Sequence, residues 1–305
     1  MKKFASLLPL ALALAACGAN EAPAPVASAP DKAPLDQPAE PTPPQPAADS
    51  LAAKLDGVIA GDWRSEANKA RDPYRHPKQT LEFFGVKPGD TLIEITPGGG
   101  WYAQILAPLM QGGGTYIAAV PKPKNASGEA AQNKSALQTM FEGDAQHYGE
   151  AKTVEYDGAA PVLGEPGSAD AVLTFRNVHN WVVAQTAPAM FKAFFDVLKP
   201  GGTLGVVEHR AAAGADPDKI KDSGYLPQDM VIKLATDAGF KLEAQSEINA
   251  NPKDTKDYEK GVWTLPPTLA LKDQDREKYV AIGESDRMTL KFVKPGADAI
   301  FKTKD

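Results

Sequence analysis

From Thr91 to Thr96 the sequence reads TLIEIT, and it runs directly into Pro97-Gly98-Gly99-Gly100 and then into apolar residues at helical spacing, Trp101, Ile105, Leu106 and Leu109. A strand, a glycine turn and a helix in that order narrow the fold sharply, because a strand that leads into a helix returns to the sheet as a parallel neighbour. The alternation continues along the chain. Thr115 to Val120 (TYIAAV) predicts a second strand, Asn133 to His147 a helix, and Thr153 to Tyr156 a third strand. Ala169 to Phe175 (ADAVLTF) predicts a buried strand, followed by an amphipathic helix over Pro188 to Leu198 that Lys199-Pro200-Gly201-Gly202 stops. Thr203 to Glu208, a helix over Pro227 to Ala238, and strands over Phe240 to Glu247 and Arg287 to Val293 complete the series. This pattern is that of an α/β domain, a parallel sheet with helices on both faces. Neither a second linker nor an internal repeat interrupts residues 51–305, which read as one domain.

The N-terminal fifty residues have a different composition. Nine prolines fall between Pro23 and Pro46 among Ala, Gln and Glu, so residues 18–50 cannot bury a core and read as a linker. At about 3.1 Å per residue of polyproline II it reaches up to about 100 Å. Before it, Lys2 and Lys3 precede an apolar run from Phe4 to Ala16, the pattern of a secretory signal and too short to span a bilayer. The run ends in Leu14-Ala15-Ala16-Cys17-Gly18, which resembles the bacterial lipobox, and Cys17 is the chain's single cysteine. The resemblance implies a signal peptide over residues 1–17, acylation of Cys17, and a domain tethered to the bilayer in the bacterial envelope, facing the periplasm. Gly18 in place of Asp favours the outer membrane. One cysteine excludes an internal disulfide and a Cys-rich metal or iron–sulfur site. A net charge of −6, with no Lys/Arg cluster beyond the first three residues, excludes a phosphate-backbone surface, so no nucleic-acid partner is expected.

A glycine-rich strand-to-helix turn at the carboxyl end of a parallel sheet lets a ligand approach bare backbone and a helix N-terminus. The spacing here is not G-x-G-x-x-G, since position 96 is Thr and position 101 is Trp, and a dinucleotide is thereby disfavoured. Glu94-Ile95-Thr96-Pro97-Gly98-Gly99-Gly100 instead resembles motif I of the class I S-adenosylmethionine-dependent methyltransferases, with Thr96 in place of the first glycine. Gly85-Val86-Lys87-Pro88-Gly89-Asp90, Ser168 to Leu173, Leu198-Lys199-Pro200-Gly201-Gly202 and Ala238-Gly239-Phe240 match that family's punctuation in order. Arg71 to Pro77 (RDPYRHP) and Phe175 to Trp181 (FRNVHNW) resemble a bacterial group of exported predicted methyltransferases. The likeness covers most of residues 60–295. It implies the Rossmann-like seven-stranded methyltransferase fold, mostly parallel with an antiparallel last strand, S-adenosylmethionine as cofactor, and a small-molecule acceptor. It further implies that Glu94, Thr96, Pro97, Gly98, Gly99 and Gly100 face the cofactor's methionine end, that Asp157 accepts from the adenine amino group, and that Asn177 and Val178 floor the site. One element departs from the pattern: where the second strand's ribose-binding acid belongs stand Ala119, Val120 and Pro121.

His179 and His209 each follow the carboxyl end of a central strand, and since an imidazole ordinarily titrates near neutral pH they are the candidate bases for an acceptor that carries a proton. Glu208 reads either as an orienter of His209 or as an ordinary strand end. His179, His209 and Glu208 offer metal-ligating atoms, but no close-spaced ligand motif accompanies them and no metal is expected. Arg71, Arg75 and His76 read either as a cover over the ligand or as a charged helix cap. Trp101, Tyr102 and Trp181 read either as a stacking surface for an aromatic acceptor or as packing. The insertion from Asn249 to Asp286 is the expected acceptor wall. Two functions follow: a methyltransferase, or a non-catalytic envelope-tethered binding protein that retains the fold.

Overall fold

The computed structural model describes residues 50–123 and 135–296. The signal, Cys17 and the linker up to residue 49 lie outside the described residues. Among those described, no helix is long and apolar enough to cross a membrane. The chain begins with α1 (Leu51–Ala60), whose first turn is capped by the Ser50 hydroxyl accepting from Ala53 N–H. Three short helices follow, α2 (Glu66–Lys69), α3 (Asp72–Arg75) and α4 (Pro77–Phe84), and lead into β1 (Thr91–Ile95). Beyond the glycine turn come α5 (Ala103–Met110), β2 (Thr115–Pro121), α6 (Ala136–Gly143), α7 (Ala145–Tyr148), β3 (Lys152–Tyr156) and β4 (Ala169–Phe175). The second half runs α8 (Val178–Val183), α9 (Ala187–Val197), β5 (Leu198–His209), α10 (Pro217–Ile220), α11 (Gln228–Asp237), β6 (Lys241–Ser246), α12 (Arg276–Ile282) and β7 (Arg287–Val293).

The helix expected over Asn133 to His147 is two helices. Asp144 leaves helical geometry at φ −143°, ψ 78°, and its carboxylate accepts from His147 N–H to start α7. The seven strands form one sheet in the order β3-β2-β1-β4-β5-β7-β6. The first five run parallel, and β7 lies antiparallel between β5 and β6. Strand order reverses between β1 and β4, the switch point where open α/β sheets bind ligands.

Alternation along the strands places one apolar set on each face. Ile93, Val172 and Leu204 pack with Phe191 and Phe194 of α9 and Val231 of α11. Leu92, Tyr116 and Leu173 pack on the other face with Phe84 of α4 and Ile105 and Leu106 of α5. Gly205 is where α4 presses on β5: a Cβ there would lie 2.6 Å from Leu173 and 2.8 Å from the Phe84 ring. This contact seats the α2–α4 segment over the carboxyl ends of β1 and β4, beside the glycine turn.

Candidate functional site

β1 ends in a turn whose backbone is strained and pinned. Thr96 adopts φ 52°, a region costly for a β-branched residue, in the place where the motif has glycine. It is held there by its N–H donating to Ala119 O at 2.8 Å and by its hydroxyl, which pairs with Tyr156 Oη at 2.7 Å. Asn177 Nδ2 donates across the switch point to Ile95 O at 2.9 Å and Thr174 Oγ1 at 3.2 Å, and reaches Thr96 O at 3.5 Å. Gly98 and Gly99 have no heavy atom within 4 Å of a built Cβ, so their outer face is open. Gly100, at φ 81°, has no such room, since Met140 lies 2.8 Å away.

The turn forms one side of a cavity of about 230 Å³ lined also by Arg71, Arg75, Glu94, Trp101, Arg176 and Asn177. Glu94 is buried and accepts from Tyr116 Oη at 2.6 Å. Burial pushes its carboxyl up to about 7 against the opposing pull of Tyr116 and Arg176. A second cavity of about 270 Å³ is lined by Arg176, His179, His209, Trp263, Glu284 and Ser285, among others. Arg176 borders both cavities, and the 249–286 insertion supplies Val262, Trp263, Pro266, Pro267 and Thr268 to the second, so it does wall a cavity. A larger cavity of about 460 Å³ between α9 and α11 has only Lys192, Asp196 and Asp237 as charged lining and shares no lining residue with the other two.

Glu208, with no exposed surface, organises the second cavity. Its carboxylate accepts from the N–H groups of Val178 (2.6 Å), His179 (3.3 Å) and His209 (2.8 Å), and faces His179 Nδ1 at 2.9 Å. A carboxylate only accepts, so Nδ1 carries a proton, and in the neutral ring Nε2 is the nitrogen with the lone pair. The orienting pair is therefore Glu208 with His179, not with His209. His209 Nδ1 meets Ser285 Oγ at 2.6 Å, and the two imidazole centroids are 5.3 Å apart. Burial, with His179 and nearby arginines, lowers the His209 pKa well below its ordinary value, so this ring is neutral. Ligating atoms of His179, Glu208 and His209 do lie within 4.8 Å of one another. The Glu208 oxygens are already engaged by four donors, which makes the arrangement an oriented base more than an open ligand set.

A third feature is only half legible in the sequence. Glu284 accepts from Arg71 Nε (2.8 Å), Arg75 Nε (3.0 Å) and Arg287 (3.1 Å). Burial alone would raise its pKa, but the guanidinium charges of Arg75, Arg287, Arg176 and Arg71 hold it down at about 2. Arg71 and Arg75, four residues apart at the two ends of α3, point the same way. Arg71 and Arg75 stand out in the sequence as a possible cover; nothing local marks Glu284 as their partner.

Other expectations resolve differently. Val178 is fully buried in the core and does not line the cavity; its backbone serves Glu208 instead. Asp157 is exposed, its carboxylate accepting from Ala159 N–H in its own turn, and the cavity lining does not include it. Val120 is half-buried against the α5 side of the core, so an apolar surface ends β2. Trp181 packs on Phe194 in the core. Trp101 lies under the Arg75 guanidinium at 4.6 Å, and Tyr102 stacks on Phe175 at 3.6 Å, so both are packed within the protein and not free to stack on an acceptor. Arg71 and Arg75 do border the cavity, whereas His76 is the left-handed residue between α3 and α4.

No protein-family model matches this chain, and no curated protein does. Solved structures do. The [4+2]-cyclase SpnF superposes with a TM-score of 0.50 at 17% identity, over 77% of this chain and 85% of its own. A protein described as a sarcosine dimethylglycine methyltransferase from Galdieria sulphuraria superposes with a TM-score of 0.50 at 13% identity, over 75% and 88%. The fold is the Rossmann-like seven-stranded methyltransferase fold. At these identities the likeness fixes architecture alone, and one of the two neighbours carries the name of a cyclase, so the reaction has to be argued from the site.

Proposed function

We propose that this chain is an S-adenosylmethionine-dependent methyltransferase acting on a small-molecule acceptor. The observation that carries the reading is the meeting of two cavities at Arg176, one built on the glycine turn and one holding an oriented histidine. The open face of Gly98 and Gly99 and the polar atoms of Glu94 and Asn177 fit the methionine end of the cofactor. The nucleoside end fits less fully, since Val120 is apolar and Asp157 stands apart from the cavity. Lacking a charge-assisted ribose contact lowers affinity by about ten- to a hundredfold. Glu94, the turn backbone from Thr96 to Gly100 and Asn177 would hold the cofactor, which supplies an electrophilic methyl group when bound.

The chain's own part is positioning and proton transfer. His179 Nε2, the ring nitrogen left free when Nδ1 donates to Glu208, takes the acceptor's proton. Trp263, edge-on to His179 at 6.1 Å, lines the same cavity together with Pro266 and Pro267. The test is calorimetric titration of the chain with S-adenosylmethionine. Gly98→Val places a side chain in the open cradle, at a φ of 59° that costs about 1–3 kcal/mol for a non-glycine residue. Binding in the wild type and a loss of about a hundredfold or more in a folded variant are expected; equal affinity in both would move the ligand elsewhere.

The same proposal places the enzyme in the bacterial envelope on a lipid anchor, and the support for this is the lipobox-like run ending at Cys17. Two or three acyl chains hold such an anchor stably, at about 0.8 kcal/mol per buried CH₂. Cys17→Ser is expected to leave the chain unacylated and uncleaved, read by membrane fractionation and mass spectrometry of the N-terminal peptide. A wild type found soluble and cut at another position would remove the anchor.

A further inference from the structure

Four guanidinium groups, those of Arg71, Arg75, Arg176 and Arg287, cluster around Glu284, the one carboxylate among the described residues that forms ion pairs with three of them, Arg71, Arg75 and Arg287. Arg75 is only 2% exposed, lines the glycine-turn cavity, and its Nη2 has no hydrogen-bond partner. The buried Nη2 of Arg71 has none either. A buried guanidinium donor with no acceptor costs stability unless a ligand supplies one, and here two such donors border one cavity. The Arg287 guanidinium is engaged by Glu284, Ser285 O and Tyr74 O, so the open donors belong to the Arg71, Arg75 and Arg176 side.

From this geometry we infer that the junction is an oxyanion site, and that it holds a carboxylate or phosphate group of the acceptor. The choice of acceptor over cofactor rests on the proposed methyltransferase function and on charge. S-adenosylmethionine carries one carboxylate against a sulfonium and an ammonium, so by itself it adds positive charge beside an already positive junction. An anionic acceptor balances that charge, and planar guanidinium groups suit the two-oxygen edge of a carboxylate or phosphate. Arg176, on the wall common to both cavities, then places the acceptor within reach of His179. Burial and the charges of Arg176, Arg71 and Arg287 outweigh Glu284 and lower the Arg75 pKa, the direction expected where cations outnumber the one anion among them.

The experiment uses inorganic phosphate as probe, titrated into the full chain at constant ionic strength, with and without saturating S-adenosylmethionine. Phosphate is expected to bind the wild type, and Arg71→Gln to weaken it about tenfold. Arg71 and Arg176 are the partly exposed members of the group, which favours folded variants; Arg176→Gln is the second variant, and Arg210→Gln, paired with Asp286 and Glu247 outside the junction, is the control that should bind as the wild type does. Phosphate that still binds when the cofactor is saturating supports the acceptor assignment. Mutual exclusion of the two would show that the arginines hold the cofactor's own carboxylate and would overturn it. Absence of phosphate binding in a wild type that binds the cofactor overturns the anion site alone. Phosphate binding without any cofactor binding leaves the anion site standing and removes both the methyltransferase reading and the assignment to its acceptor.

Discussion

Glu284→Gln is expected to destabilise the chain by about 3–5 kcal/mol at pH 7, because removing one partner of a buried ion pair leaves the others uncompensated, and here three arginines lose the same carboxylate. The effect has a pH signature. The carboxyl is held at about 2 in the folded chain against an ordinary value of 4.5, a difference that corresponds to about 3 kcal/mol. A depressed folded-state value contributes stability that is complete above the unfolded value and is lost as pH falls through the folded one. The gap between wild type and variant should therefore be full at pH 6 and above, shrink from about pH 5 downward, and be mostly gone near pH 2. Glu94, whose raised value gives the opposite trend between its ordinary range and about 7, is present in both chains and cancels in the difference. Urea denaturation of the two proteins across that range measures it, and a gap that does not move with pH would mean that packing, not charge, makes Glu284 matter. The same substitution ties stability to the oxyanion site: without Glu284, Arg71, Arg75 and Arg287 have no ion-pair partner among the described residues, so phosphate should raise the variant's Tm more than the wild type's.

How much of this was readable in the sequence follows from how local each signal is. The strand–turn–helix at Thr91 to Leu109 was legible because hydrophobic period and glycine placement are properties of neighbouring residues, and β4 and β7 appear at their expected ends, Ala169–Phe175 and Arg287–Val293. The split at Asp144 was missed because an Asx-type cap competes with helix only through one side-chain bond. His179 and His209 stood out by position after strands. The partner of His179 did not, since Glu208 sits 29 residues away on β5 and only the β4–β5 pairing brings the two together. The arginine junction lay furthest from view: Arg71 and Glu284 are 213 positions apart and meet because α4 packs on the sheet at Gly205. Asp157 shows the converse. A residue placed by resemblance can be taken by its own turn when a local N–H competes for its carboxylate.

Glu208 carries the other large expected effect. Glu208→Ala removes the acceptor of three backbone N–H groups and of the His179 imidazole in a site with no exposed surface, and a loss of about 3–5 kcal/mol is expected by chemical denaturation. Glu208→Gln separates fold from chemistry. The amide keeps the volume and one accepting oxygen, so the loss should be smaller, about 1–3 kcal/mol. Its oxygen serves Val178 and His179 N–H best, which turns the NH₂ group toward His179 Nδ1. That nitrogen must then accept, and the ring proton moves to Nε2, so the nitrogen left free by Glu208 changes from base to donor. The nitrogen chemical shifts of His179 report the change directly, without substrate: the wild type should show a protonated Nδ1 and the Gln variant a protonated Nε2. Once an acceptor is in hand, the same variant should lose about 10²–10⁴ in rate if its nucleophile needs deprotonation. An unchanged tautomer in a folded Gln variant would mean that Glu208 supports the strand end and does not set the base, and the proton-transfer role of His179 would go with it.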